Sequence, residues 1–573
     1  MSNCTDTAVS CDLLVIGGGS AGMWAAHRFA ELMPGRSIVI VDKGPRDWGG
    51  LMTMAGGDFD AVMPGENVDD WLKDLVYYFD GLCDQPLMRE VLLRSRERFA
   101  DYQKWGCEFF TREDGTLKSV PQRGLANVRL YPAKLKGRGG EHMVRALVSQ
   151  LKNHGVKRYG RIMITDLLTK DGRVTGAVGF NSLDGTFMSF RAKAVIAATG
   201  VGGWKTSYGK NTPTGESSEM VWKAGAVLRD CEFCRVWNMP RYFGWEGQTA
   251  LMPLGGRFVN ALGESFMEKY SPVLGPNTDP HYTTIAMAME IRAGRGPLRF
   301  DISRINPDDM ILLRPQTGWQ LLNYEKLRDL GMDLFRDNTE WMPQMTISYG
   351  GMDADLYGRT AAEGLFAAGT ARNMEPGVYA GGFALMSTSV TGHLAGEGAA
   401  RYLQGLESTD EGVDQDEKEL RAEIMAPLHR ATGLAPKDVQ TRIQSAVFPY
   451  DVSILKTEEA LSRALAEIRR IREEEIPALA ASDPHYLLKA REVRGMAFIS
   501  ELYLTAALER RETRAGHYRE DYPQRDNSRY LAWLELSSDG MGGVNKTWKP
   551  VPVDTYPIPV TSYYQDNFDF SEK

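Results

Sequence analysis

"CDLLVIGGGSAGMWAAHRFAELMPGRSIVIVDKG", Cys11 to Gly44, decides the fold. It reads as strand, glycine turn, helix, strand. Leu13 to Ile16 is an apolar run, Gly17, Gly19 and Gly22 form G-x-G-x-x-G, and a second apolar run, Ile38 to Val41, ends at Asp42. Gly17 permits the tight turn, Gly19 lets backbone approach a pyrophosphate, and Gly22 lets helix and sheet pack closely. The helix N-terminus adds N–H groups and a positive dipole end. Asp42, 20 residues past Gly22, is placed to accept from a ribose hydroxyl. Strand, helix, strand and acid in this order imply dinucleotide binding.

Two later segments repeat the geometry. "AKAVIAATGVGG" (Ala192–Gly203) is an apolar strand ending at Ala198, Thr199 and Gly200, and "AAEGLFAAGTA" (Ala361–Ala371) is another ending at Gly369. In an open α/β sheet, ligands sit at such carboxyl-terminal strand edges. The chain's 573 residues exceed a single core. A composition of 43% hydrophobic and 25% charged residues is that of a globular protein. A net charge of −8 argues against a nucleic-acid partner. No run reaches the roughly 18 apolar residues of a membrane span. No export signal is visible, and the six cysteines are too few for a disulfide framework, so a cytoplasmic setting is expected.

The order of "VIGGGSAG", "AGGDFDA", "WGCEFFTREDG", "MVWKAGAVLRD", "EGLFAAG", "GHLAGEGAARY" and "RRETRAGHYREDYPQRD" resembles the flavoprotein subunits of the succinate dehydrogenase, fumarate reductase and adenylylsulfate reductase superfamily, with wording similar to the adenylylsulfate reductase α branch. The resemblance implies an α/β fold: a two-domain FAD-binding, Rossmann-like core with an inserted α+β capping domain and a C-terminal helical domain. The expected division is 1–240 and 346–405 for the FAD domain, 241–345 for the cap, and 406–573 for the helical domain with an extended tail. It implies FAD held by Gly17, Gly19, Ser20, Gly22, Asp42, Lys43, Ala198, Thr199, Gly200, Glu216 and Gly369. The flavin ring is then placed against Gly50 and Gly57 of "GGLMTMAGG" and against Leu385 and Met386 at a helix opening. Respiratory members tether FAD through a histidine; this chain reads Gly50 there, beside Trp48 and Gly49, so non-covalent FAD is expected.

The substrate side departs from the dicarboxylate pattern. The family's substrate histidine slot reads Trp237, its proton-donating arginine slot falls at Pro280–His281, a second histidine becomes Thr346 or Ile347, and the carboxylate-binding arginine becomes Tyr379. The adenylylsulfate reductase histidine falls near Gly377. Arg235 and Arg241 flank the expected pocket wall, where a guanidinium grips a carboxylate, phosphate or sulfonate, or else form an ordinary ion pair. Trp237 is read as a stacking surface or as packing; His281 and Tyr379 are candidate proton donors. In "VLRDCEFCRVW" the reading is one strand, which puts Cys231 and Cys234 on opposite faces and disfavours a metal site or redox disulfide.

These features point to a FAD-dependent oxidoreductase moving two electrons between flavin and a small anionic or planar substrate, with an iron–sulfur partner supplying or accepting electrons. The alternatives are a self-contained enzyme using oxygen, quinone or nicotinamide, in some cases as a homo-oligomer, and a non-catalytic flavin-binding assembly subunit. The tail "KTWKPVPVDTYPIPVTSYY" either embraces a second chain or wraps its own helices.

Overall fold

The computed structural model describes residues 7–134, 139–206, 212–241, 248–307, 309, 328–332, 340–406 and 412–571. Its central sheet is built on parallel strands β1 (Thr7–Ile16), β2 (Ile38–Val41), β6 (Lys157–Tyr159), β9 (Phe187–Ala197) and β16 (Leu365–Ala367), with β7 (Ile162–Lys170) and β8 (Arg173–Asn181) antiparallel at one side. The near-continuous apolar wording of Leu13–Ile16, Ile38–Val41 and Ala194–Ala197 follows from this, since these residues are buried. The register is level: Ile16 pairs Val41 and Ala197, and Ala197 pairs Ala367. Four parallel strands therefore end side by side.

Helix α1 (Ser20–Leu32) follows β1 and packs along α8 (Phe383–Gln404). The contact is close because Gly392 and Gly396 of α8 face α1 backbone; a Cβ on either would come within 2.3 Å of the carbonyl of Ala21 or Ala25. Helices α2 (Val68–Tyr78), α3 (Gln85–Lys104) and α4 (Gly139–Asn153) complete this layer, while strands β3 (Phe59–Asp60), β4 (Val120–Pro121) and β5 (Arg129–Tyr131) form a small antiparallel sheet.

A second sheet, in the order β11 (Cys234–Pro240), β14 (Glu340–Ser348), β13 (Leu298–Asp301), β12 (Arg257–Val259), is antiparallel and carries α6 (Met267–Tyr270) and α7 (Pro280–Arg292) nearby. A third joins β15 (Gly351–Met352), β10 (Leu228–Arg229), β17 (Ala532–Ser538) and β18 (Val544–Pro550). The expected single strand through "VLRDCEFCRVW" is therefore two, in different sheets. Asp230 takes φ +58, which Asp tolerates, accepts from Asn373 Nδ2 at 2.5 Å, and turns the chain before Cys234. Cys231 and Cys234 are both buried and both free.

After α8, α9 (Glu417–His429), α10 (Pro436–Val447), α11 (Glu458–Arg470) and α12 (Pro484–Glu509) form the helical part, with α5 (Glu216–Lys223) packed on α12. Most of the charged stretch Arg510–Arg519 is buried, Arg511 excepted: Arg510 pairs with Glu232 (2.7 Å) and Glu512 (2.8 Å), and Arg514 with Glu512 (2.7 Å). His517 lies within this interior, its Nε2 3.3 Å from the Arg510 carbonyl. The tail wraps its own chain. Tyr564 is fully buried, Gln565 N donates to Asp80, and the Phe568 ring stacks on Tyr282 at 4.1 Å. No helix among the described residues is long and apolar enough to cross a membrane.

Candidate active site

The glycine turn sits where the level strand ends meet. Gly17 has φ +109, and a Cβ there would lie 2.3 Å from the Ala198 carbonyl. A Cβ on Gly22 would lie 1.9 Å from the Gly17 carbonyl. Gly19 caps α1, and Ser20 opens it, buried. Gly50, at φ +73, comes so close over Gly19 that its Cβ would be 2.7 Å from the Gly19 Cα. Gly200 (φ +74) and Gly369 (φ +65) follow β9 and β16 at the same edge, with Thr199 between Ala198 and Gly200. Bare backbone at these places forms a cradle that side chains would fill, and it fits the pyrophosphate of a dinucleotide.

Asp42 is half-buried and accepts from the amides of Gly18 (2.6 Å) and Gly44 (2.5 Å). Burial, partly offset by those amides, raises its carboxyl above the usual range. Each oxygen retains a lone pair for a ribose hydroxyl. Lys43 and Glu216 pair with each other at 2.5 Å, and Lys43 also reaches Thr214 (3.1 Å) and Glu492 of α12 (3.1 Å). Burial works against the Lys43 charge, but the two carboxylates outweigh it and hold it protonated. This network fastens the helical part to the cradle rim.

Further along, Gly57 (φ +89) packs on Gly139 at the start of α4. Gly382, at φ +84, precedes α8, whose first turn carries Leu385 and Met386, both buried. Asp60 lies against that helix start: a Cβ on Gly382 would be 2.4 Å from its Oδ1. Burial and Asp58 push the Asp60 carboxyl well above the usual range.

Four of the five expected substrate-side residues come together. Arg235 and Trp237, two apart on β11, share a face. The Arg235 guanidinium lies over the ring of Tyr379 at 4.1 Å, of Trp237 at 5.3 Å and of Tyr349 at 5.4 Å. Its Nε donates to Tyr349 Oη (3.1 Å), and Glu375 is 3.7 Å from its Nη2. Trp237 meets Tyr379 edge-on at 4.7 Å and His281 at 6.5 Å. Arg241 is elsewhere: β11 ends at Pro240, and Arg241 turns to the surface and pairs with Glu340 at 2.8 Å. It takes the ion-pair role that its sequence position also allowed.

His281, in the first turn of α7, is held by Asp279. Asp279 caps α7, accepting from His281 N (2.7 Å), and the same oxygen faces His281 Nδ1 at 2.8 Å. Its other oxygen accepts from Tyr78 Oη (2.5 Å) and Tyr379 N (3.1 Å). Burial disfavours the Asp279 carboxylate, but His281, Arg123 and these hydrogen bonds outweigh it and keep it ionised. Asp279 Oδ1 thus takes the Nδ1–H of His281 and orients the ring, and Nε2 is buried with no partner among the described residues. The Tyr379 carbonyl accepts from Arg123 Nη2 at 2.8 Å and lies equally near Tyr78 Oη, whose one proton it shares with Asp279.

Asp279, Tyr78, Arg123, Tyr349 and Glu375 were not among the residues singled out from sequence. Only Asp279 left a signal: Asp followed by Pro280 is a helix-start pattern.

A glycine cradle at level parallel strand ends, backed by the acid that follows β2 and accompanied by a second, antiparallel sheet, defines a dinucleotide-dependent oxidoreductase of the two-domain flavoprotein class. Family comparison agrees. The "FAD binding domain" model matches residues 12–390, and the "Fumarate reductase flavoprotein C-term" model matches residues 444–563. The chain belongs to the succinate dehydrogenase and fumarate reductase flavoprotein family and is a FAD-dependent oxidoreductase. It is 30% identical to one of the subunits of the CoM/CoB fumarate reductase of Methanothermobacter marburgensis, over 90% of this chain and 95% of that one. It is 26% identical to the fumarate reductase flavoprotein subunit of Mycobacterium tuberculosis, over 95% and 98%. Among solved structures, a variant of the E. coli quinol fumarate reductase FrdA superposes with a TM-score of 0.85 at 21% identity, covering 96% of this chain and 98% of that one. Adenylylsulfate reductase from Archaeoglobus fulgidus gives 0.80 at 20% identity, covering 96% and 97%. These two structures speak to fold alone.

Proposed function

We propose that this chain moves two electrons to or from a small anionic or planar substrate seated against Arg235, Trp237 and Tyr379, with His281 as the proton donor or acceptor. The observation that carries this reading is the buried His281–Asp279 pair, whose unpartnered Nε2 lies beside the arginine–aromatic cluster. Bound FAD supplies the two-electron chemistry and is held without a covalent tether, since Trp48, Gly49 and Gly50 offer no nucleophile.

Asp279 keeps the imidazole in one tautomer, so a proton is exchanged at Nε2 alone. It also stabilises the imidazolium once Nε2 takes up a proton. Arg235 supplies positive charge for one anionic group. The rings of Trp237, Tyr349 and Tyr379 enclose that charge and keep water from it, which strengthens its pull. A C4-dicarboxylate suits this wall poorly. Glu375 already shares the Arg235 charge, and Trp237 and Tyr379 stand in the slots where the dicarboxylate enzymes carry charged grips.

Both relatives are subunits by name, and we take electrons to pass between this chain and an iron–sulfur partner in a reducing, cytoplasmic setting. The test is an anaerobic visible spectrum of the FAD-loaded chain titrated with NADH, NADPH and then a reduced viologen. Bleaching by viologen alone supports a missing electron-transfer partner; bleaching by a nicotinamide overturns that part in favour of a self-sufficient enzyme. Turnover with small enoates and sulfur oxyanions is then screened against His281→Gln. An unchanged rate in that variant sinks the assigned role.

A further inference from the structure

A cavity of about 340 Å³ lies where α1, α3, α4 and α8 meet, outside both the glycine cradle and the Arg235 cluster. α1 presents His27, Arg28 and Glu31 to it along one helix face, α3 presents Arg98, Asp101 and Lys104, and α8 presents His393. His154, just past α4, borders it, with its ring 5.1 Å from that of His27.

The polar accounting at this cavity is incomplete. His27 Nε2 faces Glu31 at 3.4 Å, and Arg98 is engaged with Asp101 at 2.8 Å. Yet the Nδ1 atoms of His27 and His393, Arg98 Nη1 and Arg28 Nε are buried with no partner among the described residues. His27, His393 and Arg98 are each more than nine-tenths buried. A buried guanidinium N–H with no acceptor is an expensive arrangement, and here two such donors, Arg98 Nη1 and Arg28 Nε, belong to residues lining one polar space. On the cavity wall itself Arg28, Arg98 and Lys104 face Glu31 and Asp101, with Arg28 paired to Glu31 at 3.1 Å and Glu97, outside the wall, 3.6 Å from Arg98; the histidines add charge once protonated. The histidines do not converge on a metal: no group of three or more His, Cys, Asp or Glu among the described residues is arranged to hold one.

The cavity wall also communicates with the cofactor cradle. Trp24, covered by Arg98 at 5.2 Å, donates from Nε1 to Tyr102 Oη at 2.9 Å. Tyr102 Oη lies 3.3 Å from Ser389 Oγ, which is 3.4 Å from Ser20 Oγ in the first turn after the glycines.

We propose that this cavity is a binding site for a small oxyanion, a phosphate or carboxylate group, whose oxygens accept from Arg98, Arg28 and the Nδ1–H of His393. Burial first, then the neighbouring arginines, hold His393 neutral, its pKa down at about 2. A bound anion offsets both, so binding and proton uptake reinforce one another there. Glu31 and Asp101, which face His27, oppose a second charge on the ligand.

The test is calorimetric titration of the FAD-loaded full chain at constant ionic strength with inorganic phosphate, with malonate, and with chloride as control. The expected result is saturable one-to-one binding of phosphate or malonate with a dissociation constant of order ~1 mM, whichever binds more tightly naming the source. Arg98→Gln weakens it at least tenfold, and Lys104→Gln, at an exposed position that leaves folding intact, weakens it several-fold. Arg235→Gln leaves it unchanged. Heat without saturation, equal binding of chloride, or binding lost with Arg235→Gln but kept with Lys104→Gln overturns the proposal.

Discussion

Glu492→Gln is the substitution whose consequence can be worked furthest. Glu492, on α12, is buried and receives Lys43 Nζ at 3.1 Å and Lys489 Nζ at 3.1 Å, and it also pairs with Lys205. Burial opposes its charge, but Lys43, Lys205 and Lys489 outweigh that and bring its pKa down to about 2 from 4.5. At about 1.36 kcal/mol per pH unit, that difference is worth ~3 kcal/mol of stability. The sign follows from the depressed folded pKa: the contribution is complete above pH 4.5 and is lost as pH falls toward 2. The two lysines respond differently to the same carboxylate. Lys43 keeps Glu216 as a second partner, whereas burial lowers Lys205 to about 8 with Glu492 its main support. In Glu492→Gln, then, Lys205 is the group left uncompensated, and breaking a buried pair from one side costs roughly 3–5 kcal/mol. Urea unfolding of the FAD-loaded chain, followed by tryptophan fluorescence, should show a loss of ~3 kcal/mol at pH 7, shrinking to under half of that at pH 3. Equal stabilities at pH 7, or a deficit that does not change with pH, would refute the reasoning.

Gly22→Ala places a methyl 1.9 Å from the Gly17 carbonyl; the purified protein should lose its FAD, read from the ratio of visible to ultraviolet absorbance, and roughly 3 kcal/mol of stability. Asp279→Asn removes the carboxylate charge and one of the two acceptor oxygens that hold the His281 tautomer and its neighbours; FAD content should persist while turnover falls ~10²–10⁴-fold, and a loss of FAD in step with activity would show a packing role instead. Tyr564→Phe removes the hydroxyl that accepts from Asp279 N at 2.9 Å; leaving that buried amide unpaired should cost about 1–3 kcal/mol in urea unfolding, with activity falling further than stability if Asp279 shifts.

The cradle was legible because its constraints are local. Gly17, Gly22 and Asp42 belong to one strand–helix–strand unit; Gly22 and Asp42 are dictated by a backbone collision and by backbone hydrogen bonds within it, and Gly17 by its positive φ as well as by the distant Ala198 carbonyl. The strand ends near Gly200 and Gly369 were legible for the same reason. The break at Asp230 was not, because an apolar run through Leu228, Phe233 and Trp237 carries the same pattern whether it is one strand or two. What separates them is a buried bond from Asn373, 143 residues away. Arg241 was ambiguous for a related reason: alternation carries it to the Arg235 face only if β11 continues, and the strand stops one residue earlier.

The substrate side stayed dark because it is assembled from parts far apart in the chain. Asp279 shows this most clearly. Its oxygens are filled from α2 through Tyr78, from its own helix through His281 and from the loop before α8 through Tyr379, while its amide is held by Tyr564 of the tail. The tail is fixed in turn by Asp80, which takes Gln565 N at 3.0 Å and Tyr282 Oη at 2.9 Å, and Tyr282 adjoins His281 on α7. A Pro- and aromatic-rich tail has no local reason to prefer its own chain over another. Here two buried groups decide the matter: the Asp80 carboxylate takes the Gln565 amide, and the Asp279 backbone amide donates to Tyr564 Oη. The tail and the His281–Asp279 pair are therefore linked, and loosening residues 564–570 should disturb His281 before it disturbs the distant FAD cradle.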